Sequence, residues 1–108
     1  MKKKYRIRSN EEFQEIIAHR KFATSKNFVI YTKDKKEEYA RFGIAVPKKV
    51  ANAVMRNKIK RQVKSFIQAV YKEDMKKDVI LIVKKPYLDA SYQDNEKDLE
   101  KLIKKVKI

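Results

Sequence analysis

Apolar residues recur every three or four positions in three segments of the chain, and this spacing predicts three helices. The first follows Ser9-Asn10-Glu11-Glu12, which has the form of a capping box, and ends near His19-Arg20. The longest runs from Ala53 to about Lys72, and Ser91 opens the last. The residues that form these patterns are Phe13, Ile16 and Ile17, then Ile59, Val63, Phe66, Ile67 and Val70, and finally Leu99, Leu102, Ile103 and Val106.

Three other segments carry the β-branched and aromatic residues that are typical of strands. Residues 28–32 and 41–46 are two of them, and the charged turn at 34–38 predicts that they form a hairpin. Residues 79–83 form a continuous apolar run, as expected for a central strand covered on both faces. A further short strand near Phe22-Ala23 is left open.

This order of elements predicts an α+β fold: one domain over residues 1–108, an α/β sandwich with three helices and a small sheet of about four strands. Few residues interrupt it, since Gly43 is the only glycine and Pro47 and Pro86 are the only prolines. Gly43 and Ala45 leave one face of their strand nearly bare of side chain. We therefore expect some other group to approach that backbone closely.

The charge of the chain is strongly unbalanced, with 29 Lys and Arg against 14 Asp and Glu and a net charge of +15. Such an excess indicates a polyanionic partner, either nucleic acid or an acidic membrane surface. No stretch is apolar enough to span a bilayer, and the lysines at 2–4 lead into no apolar segment, so we expect no export signal. The absence of cysteine excludes disulfides and cysteine zinc sites and fits a cytoplasmic protein.

Residues 48–68 contain no acidic residue, although charged helix faces usually mix both signs. With the buried stripe fixed by Ile59 and Val63, the basic residues cover the exposed side of the predicted helix. A face of this kind binds RNA phosphates and releases their counterions, and an amide within it can read a base edge or a 2′-hydroxyl. The alternative is a merely solvated face. The basic residues are Lys48, Lys49, Arg56, Lys58, Lys60, Arg61 and Lys64.

The segment from Lys48 to Arg61, KKVANAVMRNKIKR, resembles the "RNR" signature of the bacterial ribonuclease P protein family, which is close to K-K-x-G-N-A-V-x-R-N-R-x-K-R. Ala51 stands where glycine is usual. Lys58 stands where the second arginine is usual, which keeps the charge but loses forked geometry. The other predicted elements follow in the family's order, so the resemblance covers essentially the whole chain.

The resemblance implies a left-handed β-α-β crossover through the basic helix, whereas the general rule favours a right-handed one. It implies a role in endonucleolytic removal of the 5′ leader from precursor tRNA. An RNA subunit performs the chemistry and holds most of the Mg²⁺, while the protein alone holds no metal and supplies no catalytic residue. The expected partners are the catalytic RNA and the leader, with no DNA, no membrane and a monomeric protein. By resemblance the RNA-binding residues are Asn52, Arg56, Asn57, Lys58, Lys60, Arg61 and Lys64.

By resemblance, too, a leader-binding cleft lies between the first helix and the exposed sheet face, at Phe13, Ile17, Val29 and Tyr31. The family often has an aromatic residue where Ile17 stands, so apolar contact replaces stacking there. Strand alternation supports the cleft, because Val29 and Tyr31 point away from Phe28 and its neighbour Ile30. The alternative is that Phe13 and Tyr31 belong to a second core.

A protein that cuts RNA alone would need catalytic groups, and the sequence offers few. His19, the only histidine, is expected to sit at a helix end. The carboxylates are scattered and form no cluster suited to a two-metal site. The alternatives are a ribosomal protein or RNA chaperone, a stand-alone metal nuclease, and a DNA-binding protein, although strands rather than a helix-turn-helix partner flank the basic helix.

Overall fold

The structure, a computed structural model, describes residues 3–108 and has the predicted α+β architecture. The short strand near Phe22 is present, and two short 3₁₀ helices, Lys3–Tyr5 and Lys85–Asp89, flank the main elements. The first helix ends with His19 as its C-cap, as predicted. In chain order the main elements are α1 (Asn10–Ala18), β1 (Phe22–Thr24), β2 (Phe28–Asp34), β3 (Phe42–Ala45), α2 (Ala53–Val70), β4 (Lys77–Val83) and α3 (Tyr92–Val106).

Each helix begins at a polar residue whose side chain accepts a hydrogen bond from a backbone N–H that has no partner within the helix. The hydroxyl of Ser9 accepts from the N–H of Glu12 at 3.5 Å, and the hydroxyl of Ser91 accepts from Asp94 at 3.1 Å. The carboxamide oxygen of Asn52 accepts from Met55 at 2.9 Å. These caps explain why the three helices begin where the sequence predicts.

The four strands lie in the order β1-β2-β4-β3, so the predicted hairpin between residues 28–32 and 41–46 is wrong. β4 separates these strands, running antiparallel to β2 and parallel to β3. Its residues Val79, Ile80 and Leu81 are fully buried, and a strand this apolar is most stable in the middle of a sheet. Because β3 and β4 are parallel neighbours, a long crossover must join them, and α2 is that crossover.

The two faces of the sheet differ in how fully they are covered. One face packs against α2 and α3 and forms the main core, in which Phe28, Ile30 and Leu81 have no exposed surface. The other face packs only against α1 and the N-terminal segment, around a small cluster of Ile7, Ile16 and Ile80. The second face is therefore the one that keeps open surface.

The turn between β1 and β2 is fastened to α3 by side-chain hydrogen bonds. The carboxylate of Asp98 accepts from the Ser25 hydroxyl at 2.6 Å and from the backbone N–H of Asn27 at 3.1 Å. The Asn27 side chain donates to the carboxamide oxygen of Asn95 at 2.7 Å, and both amides are buried. These bonds hold the edge strand β1 in a fixed position.

Candidate nucleic-acid interface

The basic helix α2 carries its charge without local compensation. Its first turn contains no acidic residue, although the positive end of the helix dipole favours acids there. Ile59, Val63, Phe66 and Ile67 are its buried residues, so the predicted apolar stripe is confirmed, with Val70 half-buried at its end. The basic side chains therefore lie on the sides of α2 that face away from the core.

The seven residues predicted to bind RNA divide by exposure and by local role. The side chains of Asn57, Lys58 and Arg61 are exposed along α2. Asn52 is also exposed, but its carboxamide oxygen is used as the N-cap, which leaves its amide nitrogen for RNA. The half-buried members of the set are Arg56, Lys60 and Lys64.

Arg56 and Ala51 explain how the turn before α2 is held. The guanidinium of Arg56 donates to the carbonyl oxygen of Ala51 at 3.0 Å, which closes the turn onto the helix. Within residues 3–108 the only non-glycine residues with positive φ are Arg20 and Lys107, so Ala51 adopts an ordinary conformation. Alanine at a position where the family usually has glycine therefore needs no strained backbone here.

A pocket of about 310 Å³ joins α2 to the α1 side of the sheet. The N-terminal segment forms one wall, because the N–H of Ile7 donates to the carbonyl oxygen of Phe42 at 2.9 Å along the edge of β3. All the ionisable side chains that line it are basic, so it is suited to an anion. Sequence reasoning missed Arg6 and Arg8, although the alternation of basic and apolar residues at 5–8 indicates a strand-like edge. The lining residues are Arg6, Ile7, Arg8, Phe13, Phe42, Ile44, Lys60 and Lys64.

The strand register sorts the α1 face of the sheet into two rows that cross all four strands. The covered row begins under α1 and becomes more exposed towards β1, from Ile80 with no exposed surface to Phe22 at 60%. The open row is half-buried at β3, β4 and β2 and exposed at β1. The covered row is Gly43, Ile80, Tyr31 and Phe22, and the open row is Ala45, Ile82, Val29 and Thr24.

The four residues predicted for the cleft all lie around this face and are all half-buried. Phe13, Ile17 and Tyr31 pack against the small cluster beneath α1, so they contribute to a second core while keeping exposed surface. Val29 lies in the open row beside Ile82, which also packs against that cluster. Sequence reasoning assigned Ile82 only to a covered strand, because a continuous apolar run does not reveal which face stays open.

The Phe13 ring of α1 packs directly over the backbone of Gly43. A Cβ atom on Gly43 would lie 2.6 Å from Cζ of Phe13 and 2.7 Å from Cδ1 of Ile80, too close for either contact. The expected close approach to this backbone is thus confirmed, and the approaching group is the Phe13 ring. Glycine at this position lets the ring rest directly on β3.

A partly buried ion-pair network joins the start of α1 to the sheet. The guanidinium of Arg41 donates to the carboxylates of Glu12 and Asp78, and Asp78 also accepts from the backbone N–H of Arg41 at 3.0 Å. The hydrogen bond from Arg41 lowers the pKa of Glu12, and the bond to Glu12 raises the pKa of Arg41. The network holds the helical wall of the cleft at one distance from its floor.

The part of the chain that the structure describes contains neither a cluster of metal ligands nor a membrane-spanning helix. Among residues 3–108, no group of three or more histidine and acidic side chains is placed to hold a metal ion. Nor does any helix in this part of the chain have the length and hydropathy needed to cross a membrane.

Comparison with known proteins gives consistent results. The family model for ribonuclease P matches residues 1–107. The ribonuclease P protein component of Mycoplasma capricolum is 45% identical over 109 residues, covering 99% of this chain and 100% of the relative. That of Bacillus cereus is 40% identical over 107 residues, covering 97% of this chain and 93% of the relative.

Solved structures agree. The Staphylococcus aureus RNase P protein aligns with a TM-score of 0.87 at 34% identity, over 96% of each chain. A mutant of the S. aureus protein, described as having defective mRNA degradation activity, aligns at 0.88 with 35% identity, over 97% of this chain and 90% of that one. Because the family model and these relatives span nearly the whole chain, it belongs to the ribonuclease P protein family.

Proposed function

We propose that this protein is the RNA-binding subunit of ribonuclease P, which assists a catalytic RNA in removing the 5′ leader from precursor tRNA. The α2 face binds the RNA subunit, and the cleft between α1 and the sheet binds the leader. The observation that carries the proposal is the all-basic pocket between Lys60, Lys64, Arg6, Arg8 and the Phe13 ring, because it connects the two surfaces. The RNA subunit on α2 and the leader in the cleft would therefore lie next to each other at this pocket.

The α2 surface is suited to a structured RNA. Asn57, Lys58 and Arg61 project from one rigid helix whose buried side is anchored in the main core. Each cation that meets a phosphate releases counterions, so binding of this kind weakens steeply with salt. Because no acidic residue neutralises this face, RNA phosphates supply the missing negative charge.

The cleft is suited to a single strand. Its floor is the open row of the sheet, which offers apolar contact. Phe13 and Tyr31 offer aromatic rings with exposed surface. Bases that are not paired can stack on such rings, whereas the bases of a duplex are already stacked. The leader is single-stranded, so it fits this surface better than the body of a tRNA does.

We assign the cleavage chemistry to the RNA subunit, with Mg²⁺ held mainly by that RNA, and place the protein with it in the cytoplasm. This assignment is supported by family membership, since the relatives are named as the protein component of ribonuclease P. The protein's contribution is then affinity and orientation of the substrate. On this view no protein side chain takes part in bond cleavage.

Reconstitution tests the proposal. Purified protein is mixed with precursor tRNA at low Mg²⁺, with and without a bacterial ribonuclease P RNA, and leader release is followed on a gel. We expect cleavage only when both components are present. Cleavage by the protein alone would contradict the proposal. The reaction with protein alone is also run on an mRNA substrate, because a mutant of the S. aureus protein is described as defective in mRNA degradation activity. No stimulation of the RNA would leave a general RNA-binding protein as the better account.

A second test separates the α2 surface from general charge. Lys58→Ala and Arg61→Ala should each weaken binding to the RNA subunit and reduce the slope of log affinity against log salt by roughly 0.7–0.9 for each phosphate that is no longer neutralised. Lys101→Ala is the matched control, since Lys101 is an exposed lysine on α3. Equal effects from Lys58 and Lys101 would show that only net charge matters.

A further inference from the structure

Phe22 is a large aromatic residue that the fold leaves in solvent. Its exposed fraction is 60%, although it lies within strand β1 and not in a loop. It is paired in register with Tyr31, and the two ring centroids are 5.5 Å apart with a tilt of 40°. The exposed aromatic surface therefore continues from Tyr31 to the edge of the sheet.

The position of Phe22 is fixed although its ring is exposed. β1 is hydrogen-bonded to β2, and the turn after it is fastened to α3 through Asp98 and Asn95. A rigid ring loses little freedom when a ligand stacks on it, so binding there costs little entropy. Phe22 is thus preorganised for a flat partner.

Two basic residues precede this ring along the chain. Arg20 and Lys21 directly precede it and are both exposed. Asp34 lies near Lys21, but Lys77 donates to its carboxylate and is the main cause of its lowered pKa, so that negative charge is already partnered. The residues that lead into Phe22 therefore contribute positive charge that is suited to an anion.

Arg20 adopts a backbone conformation that strains an arginine more than it would strain a glycine. Its φ is 58°, in the left-handed region, at the point where the chain leaves α1. Its N–H donates to the carbonyl oxygen of Ile17 at 3.1 Å and completes the end of the helix. Glycine would make the same bond with less strain, so the helix end by itself does not require an arginine at this position.

We propose that Phe22 and Arg20 form a distal subsite of the leader cleft, which binds one further nucleotide beyond the one at Tyr31. The Phe22 ring stacks on the base, and Arg20 pairs with the adjoining phosphate. This inference rests on the proposed function, because it takes the single-stranded leader as the ligand. It also gives the leader a direction across the sheet, from the basic pocket at β3 to the aromatic edge at β1.

The spacing of strands sets the length of leader required. Three intervals of about 4.8 Å separate β3 from β1, so the path is roughly 14 Å long. A leader of one nucleotide bound at the β3 side cannot cover this distance, whereas a leader of several nucleotides can. Dependence on leader length therefore identifies the subsite.

The experiment uses the holoenzyme reconstituted with a bacterial ribonuclease P RNA. Affinity is measured for mature tRNA and for precursors whose leaders increase from one to eight nucleotides. Phe22→Ala should lower affinity for the longer leaders by about tenfold, the loss of one stacked base, and should leave the shortest leader and mature tRNA unchanged. Phe22→Trp should retain the affinity, and Leu88→Ala, which removes another exposed apolar side chain, should have no effect.

Arg20→Gly provides an independent test. Because glycine suits the left-handed conformation, the variant should unfold at the same temperature as the wild type or at a higher one, yet bind long leaders more weakly. The slope of log affinity against log salt should fall only for those leaders. A reduction in affinity that is equal for long leaders and mature tRNA would overturn the subsite.

The outcomes distinguish this inference from the proposed function. If the wild type prefers leader-bearing substrates and Phe22→Ala binds them as tightly as the wild type does, the subsite is wrong and the proposed function stands. If the wild type shows no preference for a leader at any length, both are wrong. Stacking quenches the fluorescence of 2-aminopurine. If a 2-aminopurine base in the leader is quenched on the wild type and not on Phe22→Ala, that base stacks on the Phe22 ring.

Discussion

The two faces of the sheet are built from the same four strands and serve different ends. Against α2 and α3 the sheet is sealed, and Leu81 and Val79 have no exposed surface. Against α1 the covered row is sealed only at Gly43 and Ile80, and Ile82 in the open row remains half-buried. Two neighbouring residues of β4 thus belong to different surfaces: Leu81 to one that is fully buried and Ile82 to one that stays partly open.

On the proposed function, this difference reconciles the stability of a small basic protein with binding at its open face. A net charge of +15 opposes compaction, so the chain needs at least one face of complete apolar burial. A binding cleft needs apolar surface that stays accessible to its ligand. That surface therefore cannot be buried within the folded protein. Placing the two on opposite sides of β4 lets each be complete without weakening the other.

The largest effect is expected when the faces are compared residue for residue. Leu81→Ala should lower the free energy of unfolding by about 3–5 kcal/mol, because it leaves a cavity in a sealed core. Ile82→Ala should lower it by about 1 kcal/mol, since the side chain is only partly removed from water. Urea unfolding measures both values, and leader affinity of the folded variants should fall for Ile82→Ala alone. Equal costs in stability would mean that the two faces are alike.

A smaller effect is expected from crowding the contact between α1 and β3. Gly43→Ala places a methyl group against Phe13 and Ile80 and should cost about 1–3 kcal/mol through displacement of the ring. Phe13→Leu in the same chain should recover part of that stability by making room. Thermal unfolding of the single and double variants checks this, and no recovery in the double variant would mean that Phe13 is not the group displaced.

The smallest effect is expected at the tie between α1 and the sheet. The bond from Arg41 lowers the pKa of Glu12 below its ordinary value of 4.5, so this carboxylate stabilises the fold above that pH. Its contribution is lost as the pH falls through the lowered pKa. Glu12→Gln should therefore cost about 1 kcal/mol at neutral pH, with solvent screening included, and the difference from wild type should vanish in acid.

Glu11→Gln is the control for that experiment, because Glu11 is exposed in the same helical turn. Unfolding followed from pH 7 to pH 2 should show a pH-dependent difference for Glu12 and little change for Glu11. A difference for Glu12 that persists unchanged in acid would mean that the side chain acts by packing and not through its charge.

Local features of this fold could be predicted from the sequence, and pairing between distant segments could not. The helix starts at Ser9 and Ser91 and the helical stripes depend on residues within a few positions of one another, so pattern alone identifies them, whereas the cap at Asn52 was predicted only as an RNA-binding residue. The strand order depends on residues 77–83 inserting between two earlier strands. A charged turn at 34–38 is compatible with a hairpin between β2 and β3. It is equally compatible with two strands that are not neighbours in the sheet.

The candidate site divides in the same way. The basic face of α2 could be predicted because its residues belong to one helix and one motif. Arg6 and Arg8 were missed because their place beside Lys60 and Lys64 depends on the pairing of the N-terminal segment with β3. Phe22 was missed because a single aromatic in a short strand gives no indication of which side it faces. The register with Tyr31 decides that.

The central position of β4 also has a consequence for synthesis of the chain. β2 and β3 do not pair with each other and must wait for residues 77–83 to leave the ribosome before the sheet can close. The basic segment 53–70 emerges earlier, after β2 and β3 but while the central strand β4 is still missing from the sheet. The sheet is therefore completed late in synthesis, after the whole cationic helix has been made.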